Sequence, residues 1–194
     1  SNRAGYLNYK TYGSDPILQD GNNNLLTINQ AGSNNEAGVS TVGSDYSGSG
    51  IDQLGNRNSL NIQQLTNGSK VHQVQQTASD AATSATNVLT ITQKSHSTTA
   101  NISNRVNSVV QEHIGGAGQN SVEITQETNG VVNGQIIGNG TQTSNSTALG
   151  VVQRGSGNQL VASQKSNGGP NRIVYMLQNG NSNGITATQT GKSN

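Results

Sequence analysis

The sequence predicts an all-β fold, a β-solenoid of two facing parallel in-register sheets. Three observations carry that prediction. A short phrase recurs along the chain, its marked residues sit two apart, and apolar mass is too scarce for an ordinary core. The phrase is clearest from Gln19 to Thr41: from each Gln, a Gly falls two residues on and an Asn five on. Small or aliphatic residues follow at seven and nine, and the next Gln slot comes at eleven. Gln178, Gly180, Asn183, Ile185, Ala187, Gln189 and Gly191 repeat it near the other end.

The composition excludes several classes. Apolar residues are 29% and charged residues 10% of the chain, well below the roughly 45–50% and 25% of globular domains. Such poverty usually means disorder, yet the formal charge is +1 and there are only 2 prolines. Polar ladders in a β-structure reconcile these facts, since Asn and Gln favour cross-β stacking. Without cysteine there is neither a disulfide framework nor a thiolate metal site. No apolar run approaches the ~20 residues that span a bilayer, so no membrane insertion is expected. The near-neutral charge argues against electrostatic binding of nucleic acid. The start at Ser1, without Met or a charged-then-apolar leader, reads as a processed mature form.

Along the chain, residues 1–12 hold Tyr6, Tyr9 and Tyr12 but no phrase, and read as an N-terminal tail, cap or targeting segment. Residues 13–194 form the solenoid, with 13–19 a weak first strand. Clean strands are Asn24-Leu26-Ile28-Gln30, Asn58-Leu60-Ile62-Gln64, Asn87-Leu89-Ile91-Gln93, Asn120-Val122-Ile124-Gln126, Asn158-Leu160-Ala162-Gln164 and Asn183-Ile185-Ala187-Gln189. Degenerate copies are Asn35-Ala37-Val39-Thr41, Thr98-Ala100-Ile102-Asn104 and Thr147-Leu149-Val151-Gln153. A spacing of two is the strand period, so the marked residues of one copy share a face. The reversals carry Gly21, Gly32, Gly55, Gly155, Gly180 and Gly191, where glycine admits a positive φ. Residues 42–47, 77–86 and 165–171 read as loops extruded from the turns. Near residues 69–76 either Val71 or Val74 fits inward, and between 130 and 142 several phases fit. The repeat logic gives about fourteen strands in about seven coils of about 22 residues.

Stacking about 4.8 Å apart pairs every interior strand above and below, and apolar side chains interdigitate between the sheets. The inward amides then form ladders, each donating to and accepting from the next coil. Candidate ladder residues are Gln19, Asn24, Gln30, Asn35, Gln53, Asn58, Gln64, Asn87, Gln93, Asn120, Gln126, Gln142, Gln153, Asn158, Gln164, Gln178, Asn183 and Gln189. A buried amide left unpaired costs roughly 1–3 kcal/mol, so fixed spacing of Gln matters more here than apolar bulk.

The phrase Gln-x-Gly-x-x-Asn-x-φ-x-φ-x-Gln, with φ an aliphatic residue, resembles the curlin repeat, the building block of the major subunit of bacterial curli fibres. The resemblance covers roughly residues 17–194. It departs from the usual five regular repeats in its extra coils, its irregular loops, and Thr41 or Asn104 in Gln slots. The resemblance implies a secreted, extracellular functional amyloid that scaffolds a biofilm matrix. It also implies a nucleator subunit and an outer-membrane secretion channel as partners.

The residues lead to a similar reading by themselves. A solenoid ends in open rungs, and the last phrase shows no cap, so head-to-tail self-association builds a filament. An enzyme is not expected: His72, His96 and His113 share no ligand spacing, and no cofactor is implied. Charges such as Asp20, Glu36, Arg57, Glu123, Arg154, Lys165 and Lys192 read as solvated turns and faces. The alternative is a monomeric binding solenoid or adhesin for ice or polysaccharide, using an outward Thr/Asn/Gln face that includes Thr90-x-Thr92 and Thr186-x-Thr188.

Overall fold

The computed structural model describes residues 3–4, 17–20, 24–32, 35–38, 51–54, 58–65, 69–78, 87–95, 104–113, 120–128, 135–137, 151–154, 158–166, 171–174, 176–179 and 182–191. These residues wind six coils. The first holds β1 (Arg3–Ala4), β2 (Leu18–Asp20) and β3 (Leu25–Ala31). The second holds β4 (Glu36–Ala37), β5 (Asp52–Leu54) and β6 (Ser59–Leu65). In the third and fourth, one long strand replaces two short ones: β7 (Lys70–Ala78) with β8 (Asn87–Ser95), then β9 (Asn104–His113) with β10 (Asn120–Thr128). The fifth comprises β11 (Gln135–Ile137), β12 (Val151–Arg154) and β13 (Gln159–Ser166). The sixth comprises β14 (Asn171–Ile173), β15 (Met176–Asn179) and β16 (Gly184–Thr190).

Every pairing is parallel, and the strands sort into two sheets. The second sheet is a simple stack, β3-β6-β8-β10-β13-β16, in chain order. The first sheet runs β1-β4-β7-β9-β11-β14 along one track, and β2-β5-β7-β9-β12-β15 along the other. This is the all-β solenoid the repeat predicts, with no helix among the described residues.

Register follows the inward columns. In the second sheet Leu26, Leu60, Leu89, Val122, Leu160 and Ile185 align, as do Ile28, Ile62, Ile91, Ile124, Ala162 and Ala187. In the first sheet Ala37, Val71, Val106, Ile137 and Ile173 align. Beside them stand Val74, Val109, Val151 and Met176. Apart from Ile185 and Ala187 on β16, these columns meet in one buried cluster, with Leu26, Ile173 and Met176 packed against it. A one-residue slip in any rung would turn its apolar pair to water, which is why pairing stays in register.

Several expectations need correcting. The coil is longer than about 22 residues: successive Gln of the second sheet lie 34, 29, 33, 38 and 25 residues apart. Insertions at reversals account for this, since doubling a loop adds only about 0.6 kcal/mol of closure entropy. Among the described residues six coils stand where repeat counting predicts about seven. Val71 and Val74 are both fully buried, because an extra residue separates the two aliphatic slots of β7. Asn104, expected at the close of a strand, instead opens β9. Its predicted strand mates Thr98, Ala100 and Ile102 lie outside the described residues. The copy at Asn35 breaks after Ala37, and Ile51 and Gln53 complete its rung; Val39 and Thr41 lie outside the described residues. Arg3–Ala4, in the expected tail, pairs in parallel with Glu36–Ala37.

Backbone strain marks where insertions rejoin the stack. Ile17 and Ile51 have φ of 64° and 54°, a region that β-branched residues avoid. Ile51 is nonetheless fully buried, so packing holds a conformation that costs about 1–3 kcal/mol. Gly32 sits in a reversal at φ 116°. Gly32→Ala is expected to destabilise the chain by about 1–2 kcal/mol through that backbone angle, read as a lowered urea midpoint.

Candidate assembly interface at the ends of the ladders

Each Gln of the phrase does three jobs. In the second sheet Gln64 Nε2 donates to Gln30 Oε1 at 2.7 Å, Gln93 to Gln64 at 2.8 Å and Gln126 to Gln93 at 2.7 Å. Gln164 donates to Gln126 and Gln189 to Gln164, both at 2.8 Å. The other amide hydrogen reaches across the reversal to a backbone carbonyl: Gln30 to Glu36 O, and Gln64 to Lys70 O. Asn answers in the opposite sense, with Asn35 Nδ2 donating to Gln30 O and Asn58 Nδ2 to Gln53 O. The pair clasps the turn from both sides. That clasp explains the spacing of five from Gln to Asn, and it persists where the turn is longer: Gln76 reaches Val88 O, and Gln93 reaches Arg105 O.

A second Gln ladder runs through the first sheet. Gln53 donates to Gln19, Gln76 to Gln53 and Gln111 to Gln76, each at 2.7 Å. Gln153 donates to Gln111 at 3.0 Å and Gln178 to Gln153 at 2.5 Å. Both Gln ladders point their donors towards the first coil. The Asn column points the other way: Asn24 donates to Asn58, Asn58 to Asn87 and Asn158 to Asn183.

Of the predicted ladder residues, Gln30, Asn35, Gln53, Asn58, Gln64, Asn87, Gln93, Gln126, Gln153, Asn158 and Gln164 are buried. Gln19, Asn24, Gln178 and Gln189 are half-buried and Asn183 exposed, all on the end coils. Asn120 aligns with Asn87 by register. Gln142 lies outside the described residues, as do Gly21, Gly55, Gly155 and Gly180; Gly191 is exposed. Repeat matching missed Gln76 and Gln111, both fully buried, and Asn104 and Asn171 at the Asn slots of the first sheet. A usable signal was present: Val74-x-Gln76 and Val109-x-Gln111 share the aliphatic-x-Gln close of every clean strand.

The two ends of the stack differ. On β16 the inward Ile185 is 49% exposed and Ala187 is also exposed. On β3 the matching Leu26 is half-buried and Ile28 only 7% exposed. Among the described residues, β16 pairs only with β13, and β3 only with β6. Each therefore presents one edge of backbone donors and acceptors, a template for another strand.

Residues 21–47, which span β3, the Gly32 reversal and β4, match the family described as the curlin associated repeat. That segment is similar to a curlin repeat. No match is found among curated proteins, and none among solved structures. The matched segment holds the Gln30–Asn35 clasp and the Gly32 turn, and the Gln53–Asn58 pair repeats that clasp on the next reversal.

Proposed function

We propose that the chain is a structural subunit, not an enzyme, that polymerises head-to-tail into extracellular amyloid fibres of a bacterial biofilm matrix. Secretion through an outer-membrane channel and initiation by a nucleator subunit are expectations that follow from the curlin resemblance. The observation that carries the proposal is the continuity of the columns across the two ends. Placing the β3 edge of one copy on the β16 edge of another aligns Gln189 with Gln30 and Ile185 with Leu26. The same step aligns Gln178 with Gln19 in the first sheet. Gln donors of the incoming copy then face Gln oxygens of the last rung, as at every rung within the chain. A heterologous contact of this kind does not close, and it extends without limit.

The binding-solenoid alternative has less support. An ordered ice-binding face needs one outward pair on successive coils. Instead Thr90 and Thr92 align with Glu123 and Thr125 on the next rung, and those with Val161 and Ser163.

Head-to-tail stacking predicts which residues meet between copies. Asn29 and Thr188 both face outward and would be neighbours about 4.8 Å apart, within the Cα range of a disulfide. The chain has no native cysteine. Mixing Asn29→Cys and Thr188→Cys chains under oxidation is expected to give mainly the mixed dimer. Homodimers alone, or no assembly at micromolar concentrations over days, would refute the proposal.

A further inference from the structure

The near-neutral sequence conceals a segregated charge. The outward column Glu36, Lys70, Arg105 and Arg172, with Arg3 and Ile136 at the matching register positions, runs along the edge of the first sheet where each coil enters it. Across the same reversals, the second sheet ends in the outward column Ala31, Leu65, Lys94, Glu127, Lys165 and Thr190. Leaving Arg3 aside, they hold five of the chain's 10 Lys and Arg but two of its 9 Asp and Glu, a net +3 on a chain of net +1. The segments connecting the columns, 32–35, 66–69, 95–104, 128–135 and 166–171, contain no acidic residue. Lys165, which the sequence places in a turn, is a strand residue in this edge.

The two carboxylates do not neutralise the edge. Glu36 faces Lys70 at 3.7 Å, while Glu127 lies 3.9 Å from Lys94 and 3.7 Å from Lys165. These are long ion pairs with part-exposed lysines, each worth at most about 1 kcal/mol. Arg105 stands between Lys70 and Ile136 in its column, and Arg172 beside Ile136, so neither has an acidic neighbour in register. Arg105 Nε is buried with no hydrogen-bond partner among the described residues. Parallel stacking thus sets Lys70 and Arg105 on adjacent rungs about 4.8 Å apart, with Arg172 two rungs beyond Arg105.

We propose that this edge binds an acidic polysaccharide, with the sugar carboxylates running along the Lys70, Arg105 and Arg172 column and flanked by Lys94 and Lys165. Guanidinium groups pair with carboxylates bidentately, and one rung is near the rise of one sugar unit in an extended chain. Nucleic acid fits less well. Duplex phosphates on one strand rise about 3.4 Å apart, and single strands are held by aromatic stacking, whereas neither column contains an aromatic residue. The site lies within one chain and does not depend on fibre formation. It is also distinct from the outward Thr/Asn/Gln face.

The test is affinity electrophoresis of freshly desalted full-length chain through gels containing polygalacturonate, dextran or single-stranded DNA. Polygalacturonate is expected to retard the chain and dextran not. Retardation should fade as salt shortens the screening length from about 10 Å at 0.1 M towards 3 Å at 1 M. Lys70→Gln with Arg172→Gln should weaken binding about five-fold, while Arg154→Gln, outside both columns, should change it little. Glu127→Gln should strengthen binding about two-fold, a gain that misfolding would not produce. Equal loss in the Arg154→Gln control, no gain from Glu127→Gln, or retardation by dextran would overturn the site. Tighter binding of single-stranded DNA than of polygalacturonate would overturn the ligand class.

Discussion

Gln93→Leu is expected to remove a large share of the chain's folding stability, although it adds apolar bulk to a polar interior. Gln93 is fully buried in the third coil, donates to Gln64 Oε1 and Arg105 O, and accepts from Gln126 Nε2. Leucine removes all three bonds and strands the Gln126 donor between rungs with no water to replace its partner. An orphaned buried group costs about 1–3 kcal/mol, so losing all three partners costs about 3–9 kcal/mol against a typical total of 5–15 kcal/mol. Gln93→Glu separates the polar loss from the change of shape. Its ionised carboxylate still accepts from Gln126, yet faces the Gln64 oxygen and the Arg105 carbonyl with no donor. Desolvation raises the folded pKa of such an acid above about 4.3. The folded state then binds more protons than the unfolded one, so stability falls as pH rises through that window and recovers below pH 4. Urea midpoints of Gln93→Leu, Gln93→Glu and the outward control Gln63→Leu would measure this. A Gln93→Leu midpoint within experimental error of Gln63→Leu would show that the ladder does not hold the fold.

That dependence on ladders explains what the sequence reveals and what it hides. The second sheet is legible because Asn, two aliphatic residues and Gln stay two apart in all six of its strands. The first sheet satisfies the same columns by other routes. An extra residue lies between Val71 and Val74 and between Val106 and Val109, while an insertion separates Ala37 from Ile51. Spacing is what periodicity measures, but stacking selects only which side chains arrive in each column. Insertions at reversals change the spacing at little entropic cost. Hence Gln76 and Gln111, which stand 35 residues apart, escape an eleven-residue repeat while standing in its ladder. Arg3–Ala4 is harder still to find, because two residues carry no period. The edge of the stack was legible as an open rung; the basic column was not, because Lys70, Arg105 and Arg172 become neighbours only through register.

Ala187→Lys is expected to block elongation while leaving the single chain folded. Ala187 stands in the inward column after Ala162 but is exposed, because among the described residues no strand covers the outer edge of its rung. In the free chain the ammonium reaches water, and stability should change by less than about 0.5 kcal/mol, as at ordinary surface sites. In the stacked state the next copy places Ile28 over it, and the charge is sealed among aliphatic side chains with no carboxylate. Burying an unpaired charge costs several kcal/mol even after relaxation. At 1.4 kcal/mol per ten-fold, the critical concentration should rise at least about a hundred-fold. Thr186→Lys, one residue away on the outward face, should raise it only a few-fold. The mirror substitution Ile28→Lys behaves differently, since Ile28 is already 7% exposed in the single chain and its loss should lower folding stability as well. The Ala187→Lys chain keeps a native first rung, so it can still add to the β16 end of a wild-type fibre. Once there, it presents a defective last rung and should cap that end when mixed in at small molar ratios. Seeded growth followed by thioflavin fluorescence and end-labelled electron microscopy reads this directly. Growth stopped at one end and continuing at the other fits head-to-tail stacking; growth unimpeded at both ends means that β16 is not the surface on which the fibre extends.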